Sequence, residues 1–174
     1  MIAPITRAAS AHLLLSEIRR QRVDVMGIMG PGSPGLYEAA PLAAFKDDLE
    51  HVLTSVAWPN FKNSKIAAAA DEYRKRSGGK TLDLGAGYAC DAVLVVADVL
   101  ERAKSTDAEA IVDAPKKTHL APGIMQYGGP IVFNELGDNP NAIPTMIQIL
   151  GGKPVAVWPK DAALQKFVFP RPRA

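Results

Sequence analysis

The sequence predicts an α/β fold, and three features carry the prediction. Residues 23–35, VDVMGIMGPGSPG, join a short apolar run to a glycine- and proline-rich loop. Val23, Val25, Ile28 and Met29 read as a strand covered on both faces. Residues 8–22, directly before it, read as an amphipathic helix with Ala11, Leu14, Leu15 and Ile18 on one face and Glu17, Arg19 and Arg20 on the other. Residues 145–150 and 154–158 flank Gly151-Gly152-Lys153, a hairpin signal. A buried strand that opens into a glycine-rich loop is where α/β sheets place a ligand, at the strand's carboxyl end.

The remaining elements follow in order. Residues 36–44 can form a short helix disturbed by Pro41, and residues 49–58 (LEHVLTSVAW) have the Val and Thr content of a second strand, ended by Pro59. Asn60 to Asn63 reads as a crossover or linker. Ser64 can cap a helix running to Arg76, with Ile66, Ala69, Ala70 and Tyr73 on its inner face and Gly78-Gly79 as its stop. Residues 84–102 are apolar nearly all round, which predicts a central helix buried on most sides. Gly85 and Gly87 in its first turn allow close approach beside the Tyr88 hydroxyl. Thr106-Asp107-Ala108-Glu109 has the form of a capping box, and Pro115 should shorten the helix it opens. Gly128-Gly129-Pro130 predicts a turn into a strand at Ile131-Val132-Phe133. Residues 134–141 form a turn-rich link, and 170–174 a surface strap.

Composition bounds the function. At 174 residues, 48% apolar and 22% charged, the chain is globular and long enough for one ordinary domain. A net charge of +2 is too small to imply nucleic acid. Its basic clusters, at Arg19-Arg20 with Arg22, Arg74-Lys75-Arg76 and Lys116-Lys117, fall near predicted helix ends. One cysteine, Cys90, excludes an internal disulfide or a cysteine metal cluster. The N-terminus does not read as a signal peptide, and Asp91 and Asp98 interrupt the longest apolar run.

Catalytic patterns fit poorly. Gly30, Gly32 and Gly35 satisfy G-x-G-x-x-G after a strand, which raises a nucleotide-dependent, Rossmann-like enzyme as the alternative. However, Pro31 and Pro34 have no N–H to offer a pyrophosphate, and Glu50 falls before the second strand rather than at its end. A nucleophile elbow at Ser33 lacks its first glycine and has proline where the oxyanion-hole N–H would be. His12, His51 and His119 lack metal-ligand spacing. Asp91 and Asp98, a heptad apart, could do acid/base work but fit a polar stripe better. A ligand-facing loop without catalytic groups favours a binding protein over an enzyme.

Five segments then resemble the C-terminal half of type I periplasmic ligand-binding proteins of branched-chain amino-acid ABC transporters. They are LLLSEIRRQRVDVMGIMGPGSPG, VAWPNF, GAGYACDAVLVVADVLERA, GGPIVFNELGDN and IQILGGKPVAVWP. The resemblance implies a partial two-lobe, three-layer α/β fold that lacks most of the first lobe. Residues 1–59 would belong to the second lobe, 60–140 to the first, and 141–174 to the second again, with crossings near 59–63 and 140–143. It implies a non-catalytic solute-binding role beside a membrane permease, in the periplasm, with no cofactor; a sensor on the same fold is a further reading. Gly30, Pro31, Gly32, Ser33, Trp58 and Tyr88 are the implied ligand-binding residues.

Two departures sharpen the expectation. The family's amino-acid binders carry a loop glutamate near the position of Gly32, which pairs with the ligand ammonium. Its absence points to a carboxylate, aromatic acid or amide rather than a simple amino acid. The family's N-terminal segment, which supplies most of the first lobe's sheet, has no counterpart here. The 84–102 helix would then expose apolar surface that the missing segment or a second copy covers.

Overall fold

The computed structural model describes residues 1–125 and 128–172. Gln126, Tyr127 and the last two residues of the expected C-terminal strap lie outside them. The chain divides into two compact units, Met1–Val56 with Thr145–Ala174, and Ala57–Pro144.

The first unit is built on a sheet. Strands β1 (Leu53–Val56), β2 (Thr145–Leu150) and β3 (Lys153–Trp158) pair antiparallel in that order. The predicted hairpin joins β2 and β3, with Gly151 and Gly152 at φ +60° and +71°. Both values belong to the left-handed region that a two-residue hairpin turn requires. Glu50 closes this turn, accepting from the Gly151 and Gly152 amides at 2.7 and 3.0 Å. On the other edge of β1 the pairing becomes parallel. Met29 bridges to Leu53, and Ile28 bridges to Ile2.

Helix α1 (Ala8–Arg20) buries Ala11 and Leu15, half-buries Leu14 and Ile18, and leaves Leu13 exposed. Helix α2 (Ala39–Phe45) tolerates Pro41 because it lies in the first turn, where its missing N–H has no intrahelical partner to lose. The core sits under the sheet: Leu49, Val52, Ile147 and Ile149 are all buried.

Two strand predictions contract. Of residues 23–29, only Ile28 and Met29 pair as strand, and Val23 and Met26 are exposed. The chain is still leaving α1 there: Arg22 has φ +52°, and the Val23 amide donates to Ile18 O. Residues 49–52 likewise turn, with a 3-10 turn at Lys46–Leu49 and His51 at φ +65°, although His51 N and Val52 O still bond Ile149 of β2. The sequence periodicity reported burial of Leu49 and Val52, which a turn anchored in the core satisfies as well as a strand does.

The second unit is helical. Helix α3 (Ser64–Arg76) is capped by Asn63, whose side chain accepts from Lys65 N, rather than by Ser64. Gly78 and Gly79, both at positive φ, end the turn that follows it. Helix α4 (Leu84–Ala103) is capped by Asp83 through Ala86 N. Helix α5 (Ala108–Asp113) is short and passes into a 3-10 turn at Ala114–Lys117 around Pro115. The expected capping box does not close. Asp107 occupies the cap position without a side-chain bond to the helix, and its carboxylate accepts from Ser105 instead. The strand expected at residues 131–133 reduces to one bridge, Leu120 with Ile131.

The largest correction concerns α4, which is not buried on most sides. Only Gly87, Asp91 and Val99 are buried along it. Asp91 and Asp98 face inward, while its third carboxylate, Glu101, is exposed. Asp91 accepts from the Ile124 and Met125 amides at 2.6 and 3.1 Å. Asp98 accepts from the Thr118 hydroxyl at 2.7 Å and from Arg102. No helix among the described residues is long and apolar enough to cross a membrane.

Candidate functional site

The Gly30–Ser33 segment continues the parallel ladder beyond Met29. Gly30 N donates to Leu53 O at 2.9 Å, and Gly32 N to Ser55 O at 2.8 Å. Thr54 Oγ1 adds a bond to Gly30 O at 2.5 Å. The loop tip is therefore carried on the end of the sheet. A short 3-10 turn at Pro34–Leu36 follows it.

The four loop residues divide into two kinds. Gly30 is buried, and a Cβ there would collide with the Leu36 side chain and with Pro4 O, so only glycine fits. Ser33 is fully buried (0% exposed); its hydroxyl donates to Pro4 O and accepts from Thr6 N, both at 3.1 Å. These two hold the loop to the N-terminal segment. Pro31 and Gly32 are exposed. Gly32 has φ +63°, and nothing lies within 4 Å of where its Cβ would stand. Beside Ser33, the buried Thr6 hydroxyl has no hydrogen-bond partner. Leaving such a group unmade costs about 1–3 kcal/mol, so a polar ligand atom or water would be favoured there. No sequence pattern singles out Thr6; its position becomes meaningful only once Ser33 reaches back 27 residues to it.

Trp58 and Tyr88 belong to the second unit, with Trp58 buried and Tyr88 47% exposed. Met125 links their neighbourhoods. It bridges to Pro59, next to Trp58, and its sulfur lies where a Cβ on Gly87, next to Tyr88, would have to go. The glycine expected to allow close approach thus receives a methionine side chain from its own unit.

The geometry opposes the nucleotide reading. A pyrophosphate site needs free amides at the start of a helix. Here the Gly30, Gly32 and Ser33 amides already donate to backbone carbonyls, and prolines occupy the two remaining positions that matter. Glu50, the candidate ribose partner, closes the β2–β3 turn. Asp91 and Asp98 hold backbone and hydroxyl donors rather than facing a reactant. The Thr118 hydrogen bond is the main influence that holds the Asp98 carboxyl below its ordinary value of 3.8; partial burial opposes it and Arg102 assists. Among the described residues no group of three or more His, Cys, Asp or Glu side chains could hold a metal.

The first unit also has an apolar cleft of about 220 Å³ lined by Met26, Ile28, Met29, Leu53, Phe167 and Phe169. Among its polar members Gln148 is already occupied, bonding His51 O, Val168 O and Val168 N, and Arg171 donates to Asp47 O, while the buried His51 Nδ1 has no hydrogen-bond partner.

No protein-family model matches the sequence, and no curated protein does. The fold is that of type I periplasmic binding proteins. A leucine binding protein from Thermotoga maritima superposes with a TM-score of 0.71 at 20% identity, over 89% of this chain and 43% of that one. A solute binding protein of an R. palustris ABC transporter, in complex with benzoate, gives 0.69 at 15% identity over 89% and 41%. A branched-chain amino acid ABC transporter protein from Thermus thermophilus with bound valine gives 0.66 at 18% identity over 91% and 45%. The chain thus spans less than half the length of the structures it resembles.

Proposed function

We propose that this chain supplies part of a solute-binding cleft and acts without catalysis, as a component of an ABC-type importer that hands a small molecule to a membrane permease in the periplasm. The sheet-borne unit corresponds to the second lobe of the fold, and residues 57–144 to part of the first. The observation that carries this reading is the loop at the end of the parallel pairing. Its tip, Pro31-Gly32, is exposed, rigidly held from below, and has no donor amide left for a phosphate.

Within that reading Gly30 and Ser33 shape the loop, while Pro31 and Gly32 offer the surface that meets the ligand. Trp58 and Tyr88 are kept as candidate ligand-binding residues of the helical unit, Tyr88 through its hydroxyl. The ligand is a carboxylate, aromatic acid or amide. A zwitterionic amino acid would bring an ammonium into a closing cleft whose loop tip has no carboxylate to receive it, and an unpaired charge there is costly.

Calorimetry with benzoate and with leucine tests this, on the wild type and on Gly32→Glu. Nothing obstructs a side chain at Gly32, although the left-handed backbone costs the variant about 1–2 kcal/mol of stability. The expected result is benzoate binding by the wild type, at roughly millimolar affinity for part of a cleft. The variant should lose benzoate through like-charge repulsion and gain leucine. Leucine binding by the wild type at least as tight as benzoate would overturn the ligand assignment. Binding of neither, with a nucleotide raising the melting temperature, would overturn the solute-binding role itself.

A further inference from the structure

The Ser33 clamp that holds the loop also displays the segment before α1. Its hydroxyl donates to Pro4 O and accepts from Thr6 N, so both flanks of Ile5 are tied to the loop. Exposure alternates along this stretch, as in an extended chain. Pro4 and the Thr6 hydroxyl are buried, while Ile5, at 84%, and Arg7 are exposed. An apolar side chain and a cation, two residues apart, are therefore held beside Pro31 and Gly32.

Arg7 breaks a local rule. It occupies the cap position of α1 without a side-chain bond to the helix, and the first turn holds no acidic residue. A cation there opposes the helix dipole, which favours anions at this end. Other arginines have partners. Arg19, Arg20, Arg74, Arg76 and Arg102 pair with carboxylates, and Arg171 donates to Asp47 O. Arg22 follows the far end of α1, where a cation favours the dipole. Among the described residues Arg7 has no ion pair. It is an unpaired cation in the wrong place for its helix, beside a loop that carries no carboxylate of its own. Departures of that kind from local preference collect at functional sites.

We propose that Arg7 is the carboxylate anchor of this site, and that the ligand it selects is an aromatic carboxylate rather than an amide. This rests on the solute-binding reading of the loop and narrows its ligand class. The planar guanidinium meets the carboxylate in a charge-assisted, two-pronged pair. Ile5 and Pro31 offer apolar surface to the ring. The bound anion also relieves the repulsion between Arg7 and the start of α1.

Calorimetry with benzoate and with benzamide tests it, on the 174-residue wild type, on Arg7→Asn and on Arg7→Lys. The two probes share a ring and differ in charge. The wild type should prefer benzoate by at least about tenfold. Arg7→Asn should lose that preference with its benzamide affinity unchanged. Its melting temperature should rise, because asparagine is a favoured helix cap. Arg7→Lys should keep part of the preference, since it retains the charge without the planar fork. Benzoate binding by Arg7→Asn as tight as by the wild type would overturn the anchor and leave the solute-binding reading standing. Equal affinity of the wild type for the two probes would do the same. A parallel loss of both probes in Arg7→Asn would make Arg7 a support of the loop and overturn its pairing with the carboxylate. If the wild type binds neither probe, the solute-binding reading falls, and the anchor with it.

Discussion

The two units solve opposite halves of one problem. In the sheet-borne unit the apolar side chains Leu49, Val52, Ile147 and Ile149 lie inside, and the backbone polar groups pair across strands. In the helical unit α4 turns Asp91 and Asp98 inward onto Thr118, Ile124 and Met125, and Val93 and Val96 outward. Cohesion in the first unit comes from apolar burial. Cohesion around α4 comes in good part from hydrogen bonds to two aspartates. Valines on the outer face of α4 are therefore nearly idle, although Ile66, Leu82, Val99 and Ile131 are buried in the same unit. Trp158 lies in the first unit and Trp58 in the second, so single-tryptophan variants follow the two separately in urea unfolding.

The largest effect should come from the sheet core. Ile147→Ala is expected to destabilise the unit reported by Trp158 by about 2–5 kcal/mol, with little change in the Trp58 signal. A comparable loss in both signals would mean that the units unfold as one. Next comes Asp91→Ala, which strands two backbone donors. About 2–3 kcal/mol should be lost from the Trp58 transition, against little from the Trp158 transition. Thr118→Val removes the bond to Asp98 and should cost about 1 kcal/mol at neutral pH.

That last effect is pH-dependent. The Asp98 carboxyl is held below 3.8 in the folded chain, so its contribution is complete above that value. It disappears as the pH falls through the depressed folded value. The gap between wild type and Thr118→Val should accordingly close in acid; a constant gap would show that the hydroxyl matters for packing alone. The smallest effect belongs to the outer face of α4. Val93→Ala should change stability by no more than about 0.5 kcal/mol. A loss near that of Ile147→Ala would break the contrast between the units.

The sequence made most of this fold legible, and the failures have physical causes. Helices α1 and α3 stand out by their apolar period, and the β2–β3 hairpin by Gly151-Gly152. The apolar run of α4 was equally visible, but hydropathy cannot say whether an apolar helix is covered. Only Asp91 and Asp98, a heptad apart, marked the side that faces in, and they do so as hydrogen-bond anchors. The strands at 23–29 and 49–58 were overextended because buried turn residues such as Leu49 and Val52 mimic strand alternation.

For the loop, glycine and proline content pointed to the tip. The two roles within it were hidden, because Ser33 is fixed by Pro4 and Thr6, far away in sequence. Its prolines nonetheless argued against a phosphate cradle, and the occupied amides of Gly30, Gly32 and Ser33 agree with them.

The solute-binding role is tested most directly by following backbone amides by heteronuclear NMR while benzoate is added. The account predicts shifts that saturate together at Gly32 and Ser33, with Gly151 and Gly152 at the far turn unmoved. Saturating shifts confined to the apolar cleft at Phe167 and Phe169, with the Gly32 resonance stationary, would contradict it.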